Sequence, residues 1–446
     1  MKNILGVFIF LLPLHAFLIT IFKCKYDINV DLLRFWKELV LIVLVLFLFF
    51  KEYKKHRYSL KKLYHKNTLL GLTTAFIICS AVYIYFPFFE LKAASLLGFR
   101  YDTFFLIAMI VGLYGGLYGE LRYLLKMLFL STFGVLIIFL PWYLFGDISA
   151  LASMFGYSPE VSTYTANTCI SFAQNVDGQH RFQGTFGGPI RFSVFLTIVG
   201  TLFTGWLFSS ARFNKNQQYM LLGGFALLIL PAIFFSYSKT SMLGALFAIA
   251  MFVLLSYKYI YNRKITRKFY ASLGALVTLP IALVALLKWE LFLHLGAVLN
   301  RLENLSKSLE MFFYNPIGYG LGIAGPASQI GQSIESAGNW QIAAASVLSV
   351  HRFLPENWYV QILLEQGIVG FMLFMSLVIL IGYRLWFLVQ EKKDFLSVGI
   401  ATAYFSLCFM ALFTHAFEEA ASSYILFLFI GIVLAESMYK EKSGRK

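Results

Sequence analysis

The stretch LVLIVLVLFLFF, Leu39 to Phe50, contains no polar side chain, and it is one of many such runs. An apolar run of about 18 to 20 residues is long enough to cross the hydrocarbon core of a bilayer as a helix. About twelve segments approach that length: residues 4–22, 33–50, 68–86, 100–118, 124–145, 191–209, 219–236, 240–257, 270–289, 359–383, 397–415 and 420–438. They predict an all-α fold, a polytopic transmembrane helical bundle of about twelve helices. Only 13% of the 446 residues are charged, whereas a soluble domain carries about a quarter. The second segment is the weakest. Its lead-in VDLLRFWKELV is charged and suits an interfacial helix that then enters the lipid. The run Ile4 to Ile21 lacks a small-x-small cleavage site and is read as a first span rather than a signal peptide.

The formal net charge is +15, with 37 Lys and Arg. In a chain this apolar the excess belongs in cytoplasmic loops against anionic lipids, not on nucleic acid. The blocks KEYKKHRYSLKKLYHK and KYIYNRKITRK and the basic C-terminal tail fall on one side if the N-terminus is cytoplasmic. Both termini are then cytoplasmic. Residues 146–190 and 289–358 become two long loops on the opposite face of a single membrane domain, 1–446. Helix interiors carry few ionisable groups and no internal repeat is visible, which argues against a transporter. The four cysteines form no CxxC pair and no His/Cys cluster, so no metal site is expected. Cys79 and Cys408 lie in apolar runs. Cys24 and Cys169 lie in loops and are a candidate pair.

Chemistry is expected in the long loops. GQHRFQGTFGGPIRF, Gly178 to Phe192, brackets a Gly-rich turn with Arg181 and Arg191, suited to an anion. The bland alternative is a tight loop whose arginines reach the headgroups. SYSKTSMLGAL, Ser236 to Leu246, places Lys239 among hydroxyls, either as an anion contact or as an interfacial anchor. In RLENLSKSLEMFFYNPIGYGLGIAGPASQ, Leu302, Leu305, Leu309 and Phe312 recur near helical spacing and predict an amphipathic helix on the membrane surface. The glycines after it, Gly318, Gly320, Gly322 and Gly325, lack the strand–turn–helix context of a nucleotide loop. They read as a flexible turn near a substrate. SVHRFLPENWYVQ then brings His351, Arg352, Glu356 and Asn357 together at the head of a helix. His351 and Glu356 are proton acceptors by type, although Glu356 and Asn357 also suit a helix cap. Gln361 and Glu365, one and two turns deeper, are expected to bond to a neighbouring helix. His415, Glu418 and Glu419 in THAFEEAASS are either further polar lining or a solvated turn.

The order of these features resembles the O-antigen ligase and O-antigen polymerase superfamily of bacterial envelope proteins. The resemblance is carried by LGFRYD, RFQGTFGGPIRFSVFL, SYSKTSMLGAL and above all NPIGYGLGIAGP followed by ENWYVQILLEQGIVGF. It implies a GT-C-like bundle in the bacterial inner membrane with its active face in the periplasm. It implies a metal-independent, inverting glycosyltransferase without a cofactor. The donor would be an undecaprenyl-diphosphate-linked oligosaccharide, and the acceptor a second lipid-linked glycan or the lipid A-core. A chain-length regulator is a further partner the resemblance suggests. Arg181, Arg191 and Arg301 are then diphosphate contacts, with Arg100, Lys239, Arg352 and Asn357 as further substrate-binding candidates. Glu356 and His351 are the candidate bases. Lys239 departs from the Arg frequent in the family, and Glu356 stands where ligases carry His. The second departure favours a polymerase over a ligase. A lipid-linked glycan flippase and a non-catalytic scaffold are the competing classes.

Overall fold

The computed structural model describes residues 1–55, 68–85, 92–146, 154–157, 175–176, 179–275, 278, 295–328 and 355–443. They are helical almost throughout. Apart from turns, the described residues add one short hairpin whose two-residue strands are Asn175–Val176 and Gln179–His180. Twelve principal helices are described: α1 Lys2–Lys25, α2 Trp36–Lys55, α3 Thr68–Tyr85, α4 Lys92–Tyr114, α5 Leu121–Phe145 and α6 Pro189–Phe208, followed by α7 Lys215–Phe235, α8 Lys239–Leu255, α9 Leu295–Tyr314, α10 Trp358–Lys392, α11 Phe395–Met410 and α12 Ala420–Ser443.

Among the described residues, eight helices are long and apolar enough to cross a membrane: α1, α3 to α8 and α10. This is fewer than the twelve expected from the apolar runs. α11 is apolar but shorter, as is the apolar part of α12, Ala420–Glu436, and α2 begins within its charged lead-in. Most of the expected span 270–289 lies outside the described residues. Two boundaries also differ. α4 starts at Lys92, so Arg100, Tyr101 and Asp102 lie inside the helix rather than at its mouth. α11 ends at Met410, which leaves His415 in the turn that leads to α12.

Lipid offers no hydrophobic drive to bring helices together, so close backbone approach and shape fit must do it. α4 and α12 show this most clearly. A Cβ on Gly112 would stand 2.2 Å from the Leu428 carbonyl oxygen, and one on Gly431 would stand 2.2 Å from that of Met109. Aromatic side chains fill the core beside this contact, with Phe105, Trp358, Phe374, Phe417 and Phe427 all buried. The amphipathic helix forms as α9. It does not simply lie on a membrane surface, because Leu305, Met311 and Phe312 pack against Val360 and Leu364 of α10 and Ala324 of the glycine turn. Leu302 and Leu309 face outward.

Candidate functional site

α10 is broken at Gly367, whose φ of 60° and ψ of −164° belong to no helix. Such a break strands backbone groups that need partners in a dry environment. The glycine turn supplies them. Tyr319 N–H donates to the Leu364 carbonyl at 2.8 Å and Gly320 N–H to the Glu365 carbonyl at 2.9 Å. In return Ile368 N–H donates to the Pro316 carbonyl at 2.9 Å. The Glu365 side chain completes the joint. Its Oε1 accepts from Gly322 N–H at 3.0 Å and Ala324 N–H at 3.1 Å. The turn is thereby wedged between α10 and the start of α4, where a Cβ on Gly322 would lie 2.2 Å from the Ala94 carbonyl oxygen. The expectation of a flexible turn is corrected, since these glycines permit close docking. Glu365 does bond to another part of the chain, but to a loop backbone rather than a helix.

A layer of polar side chains crosses the same end of the bundle. Arg100 Nε lies 2.6 Å from Glu38 Oε1, and Tyr424 donates to the same oxygen at 3.2 Å. Lys37 Nζ stands 3.7 Å from it and 2.7 Å from His15 Nε2, while Trp36 Nε1–H donates to His15 Nδ1 at 3.0 Å. Two residues further along α4, Asp102 Oδ2 accepts from Gln366 Nε2–H at 2.7 Å, and Gln366 Oε1 accepts from Ser80 at 3.0 Å. The sequence reading singled out none of these partners of Arg100 and Asp102. Arg100 itself is thus a largely buried ion-pair member, and not an open contact at a helix mouth.

Arg191, at the start of α6, reaches Glu419 at 3.8 Å. It is also close enough to interact electrostatically with Glu418 and His415 in the turn before α12. Burial lowers His415 to about 3, with the Arg191 charge acting in the same direction. Burial raises the Glu418 carboxyl well above the usual range, against the pull of Arg191. Glu418 Oε1 and His415 Nε2 have no hydrogen-bond partner among the described residues. Glu418 is buried and His415 and Glu419 are partly buried, so the polar end of this turn is not fully solvated.

At the head of α10, Asn357 caps the helix, its Oδ1 accepting from Tyr359 N–H at 3.0 Å and Val360 N–H at 3.2 Å. Glu356 takes no part in the cap. Its φ is 46°, and its carboxylate receives a hydrogen bond from Arg301 Nε of α9. Both side chains are about half exposed, at 41% and 44%, so this ion pair is within reach of a ligand. Arg181 donates to the Ser236 carbonyl at 2.8 Å, which ties the segment before α6 to the α7–α8 corner. Lys239 opens α8 at that corner behind the Ser238 cap. His351 and Arg352 lie outside the described residues. Cys24 is disulfide-bonded, Cys79 and Cys408 are free thiols, and Cys169 lies outside the described residues.

The structure therefore sets Arg301, Glu356 and Asn357 at the head of α10, and Arg100 and Arg191 around Glu418 in the turn before α12. Such an arrangement can bind an anion on guanidinium forks and present carboxylates to a hydroxyl. Glu38, Asp102 and Gln366, which form these buried polar contacts, were not singled out in the sequence; for Asp102 the available signal was an ionisable group at the edge of an apolar run. No curated protein matches the chain. Residues 224–375 match the O-antigen ligase family model (Wzy_C), a stretch that includes Lys239, α9, the glycine turn, Glu356, Asn357 and the broken part of α10. Over these residues the chain is similar to the O-antigen ligases.

Proposed function

We propose that the chain is a glycosyltransferase of the O-antigen polymerase type, acting on the periplasmic face of the bacterial inner membrane. The donor is a glycan on undecaprenyl diphosphate and the acceptor a second lipid-linked repeat unit. The observation that carries this reading is the Arg301–Glu356 pair, accessible at the mouth of α10 within the family-matched stretch. Glu356 takes the proton of the acceptor hydroxyl as that oxygen attacks the anomeric carbon. The sugar–phosphate bond breaks with inversion, and the lipid diphosphate leaves with its charge offset by Arg301, Arg191 and Arg181. Donor binding then has a second effect. A diphosphate competes with Glu356 for Arg301 and releases the carboxylate for its role as base. The disulfide at Cys24 supports an oxidising compartment on the side where α1 ends.

Ligation of the glycan to lipid A-core is the second reading, and the family match favours it by name. The banding of lipopolysaccharide from a deletion strain separates the two. One repeat unit on the core identifies a polymerase. Bare core with accumulated lipid-linked polymer identifies a ligase. Arg181→Ala, Arg301→Ala and Glu356→Gln are each expected to abolish long chains at normal protein level. Full-length chains in all three variants would remove the catalytic assignment.

A further inference from the structure

Resting on this glycosyl-transfer reading, we propose that Glu365 is a positioning residue: it fastens the glycine turn between α4 and α10 and thereby fixes where α9 holds Arg301. Backbone N–H groups turned inward beside a positive-φ glycine can form a concave anion site, and here the N–H groups of Gly322 and Ala324 converge on one oxygen. Gly322 and Gly325 have φ of 80° and 72°. The chain's own carboxylate fills that site, which removes it from the groups that could hold a substrate phosphate.

The fastening reaches Arg301 through α9. The turn follows α9 directly, and Tyr319 Oη donates back to the Met311 carbonyl at 2.8 Å. Leu305, Met311 and Phe312 seat the helix on Val360 and Leu364. α9 is thus held at its C-terminal end by the turn and at Arg301 by Glu356. From Tyr314 to Arg301 is about 20 Å of helix. A tilt of about 10° at the turn therefore moves Arg301 by about 3.5 Å, enough to break a bidentate contact.

Glu365 uses one oxygen for both hydrogen bonds, and Oε2 has no partner among the described residues. A glutamine retains that acceptor oxygen and loses the charge. This separates positioning from chemistry. The experiment measures kcat and KM of the full chain in nanodiscs, with the lipid-linked repeat unit extracted from the producing strain. Glu365→Gln should stay within about threefold of the parent, whereas Glu365→Ala should lose about a hundredfold in kcat/KM. The double variant Glu365→Ala/Arg301→Ala should be no worse than the more impaired single variant, because both act through Arg301.

Glu365→Gln as inactive as Glu365→Ala, or additive losses in the double variant, overturns the positioning role and leaves the site reading intact. Parental kinetics for Arg301→Ala overturns both. Hydrogen exchange of the parent chain requires no variant. The amides of Gly322 and Ala324 should exchange as slowly as the core of α10, and fast exchange there refutes the fastening.

Discussion

Replacing Gly367 by alanine tests the α10 joint most directly. The residue sits at φ 60° and ψ −164°, a region reached almost only by glycine, where a side chain costs about 1–3 kcal/mol. The added Cβ would also meet the Ile317 carbonyl oxygen at 2.1 Å and that of Pro316 at 2.5 Å. Both obstacles are backbone and neither can rotate away. The turn must lift, and the bonds Tyr319 to Leu364, Gly320 to Glu365 and Ile368 to Pro316 are lost with it. At about 1 kcal/mol each these add roughly 3 kcal/mol, for a total of about 4–6 kcal/mol. If the chain unfolds as one unit, the midpoint should fall by about 5 °C. Gly224→Ala is the control. Gly224 lies within α7 with nothing within 4 Å of the added Cβ, and alanine there should be neutral or slightly stabilising. Scanning fluorimetry in one detergent reads both, with polymer synthesis measured alongside. A Gly367→Ala protein with parental midpoint and activity would refute the reasoning.

Three further outcomes are expected. Arg100→Ala should destabilise by about 1.5–3 kcal/mol because it removes the closer of the two cations beside the buried Glu38, leaving Lys37 at 3.7 Å. Arg100→Ala/Glu38→Ala should recover part of that loss in the same unfolding assay. His415 has its pKa depressed in the folded chain to about 3. Its stabilising contribution is therefore complete above an unfolded pKa of about 6.5 and is lost as pH falls from there through about 3. His415→Asn should flatten that acid limb in a pH series of melting curves, and an unchanged limb counts against the assignment. Glu418 carries the opposite sign. Its carboxyl is raised, so its contribution is present below about pH 4.3 and declines as pH rises; Glu418→Gln should remove that decline.

The apolar runs made the helical class and most helix positions legible, because a lipid-spanning segment states its length in one continuous stretch. What they could not show is depth. PFFELKAASLLGFR reads as a polar interruption, yet α4 begins within it at Lys92 and draws Arg100 into the protein. Partners at long separation were equally hidden. Glu365 bonds to residues 43 and 41 positions away, Glu38 to Arg100 at 62 and to Tyr424 at 386. No local period encodes such pairs. Arg301 and Glu356 were both legible as candidates by residue type and position. Their direct contact was not, since it depends on how α9 folds back on α10.

The close approach of α4 and α12 has an evolutionary corollary. At Gly112 and Gly431 the space for a side chain is filled by main-chain atoms, so no substitution elsewhere can restore it. Gly244 differs, because its added Cβ would meet the flexible Met410 side chain. A smaller residue at 410 could make room there, and the two positions can drift together through time. Among homologous chains, 112 and 431 should therefore remain glycine independently of their surroundings, while 244 and 410 should exchange bulk as a correlated pair.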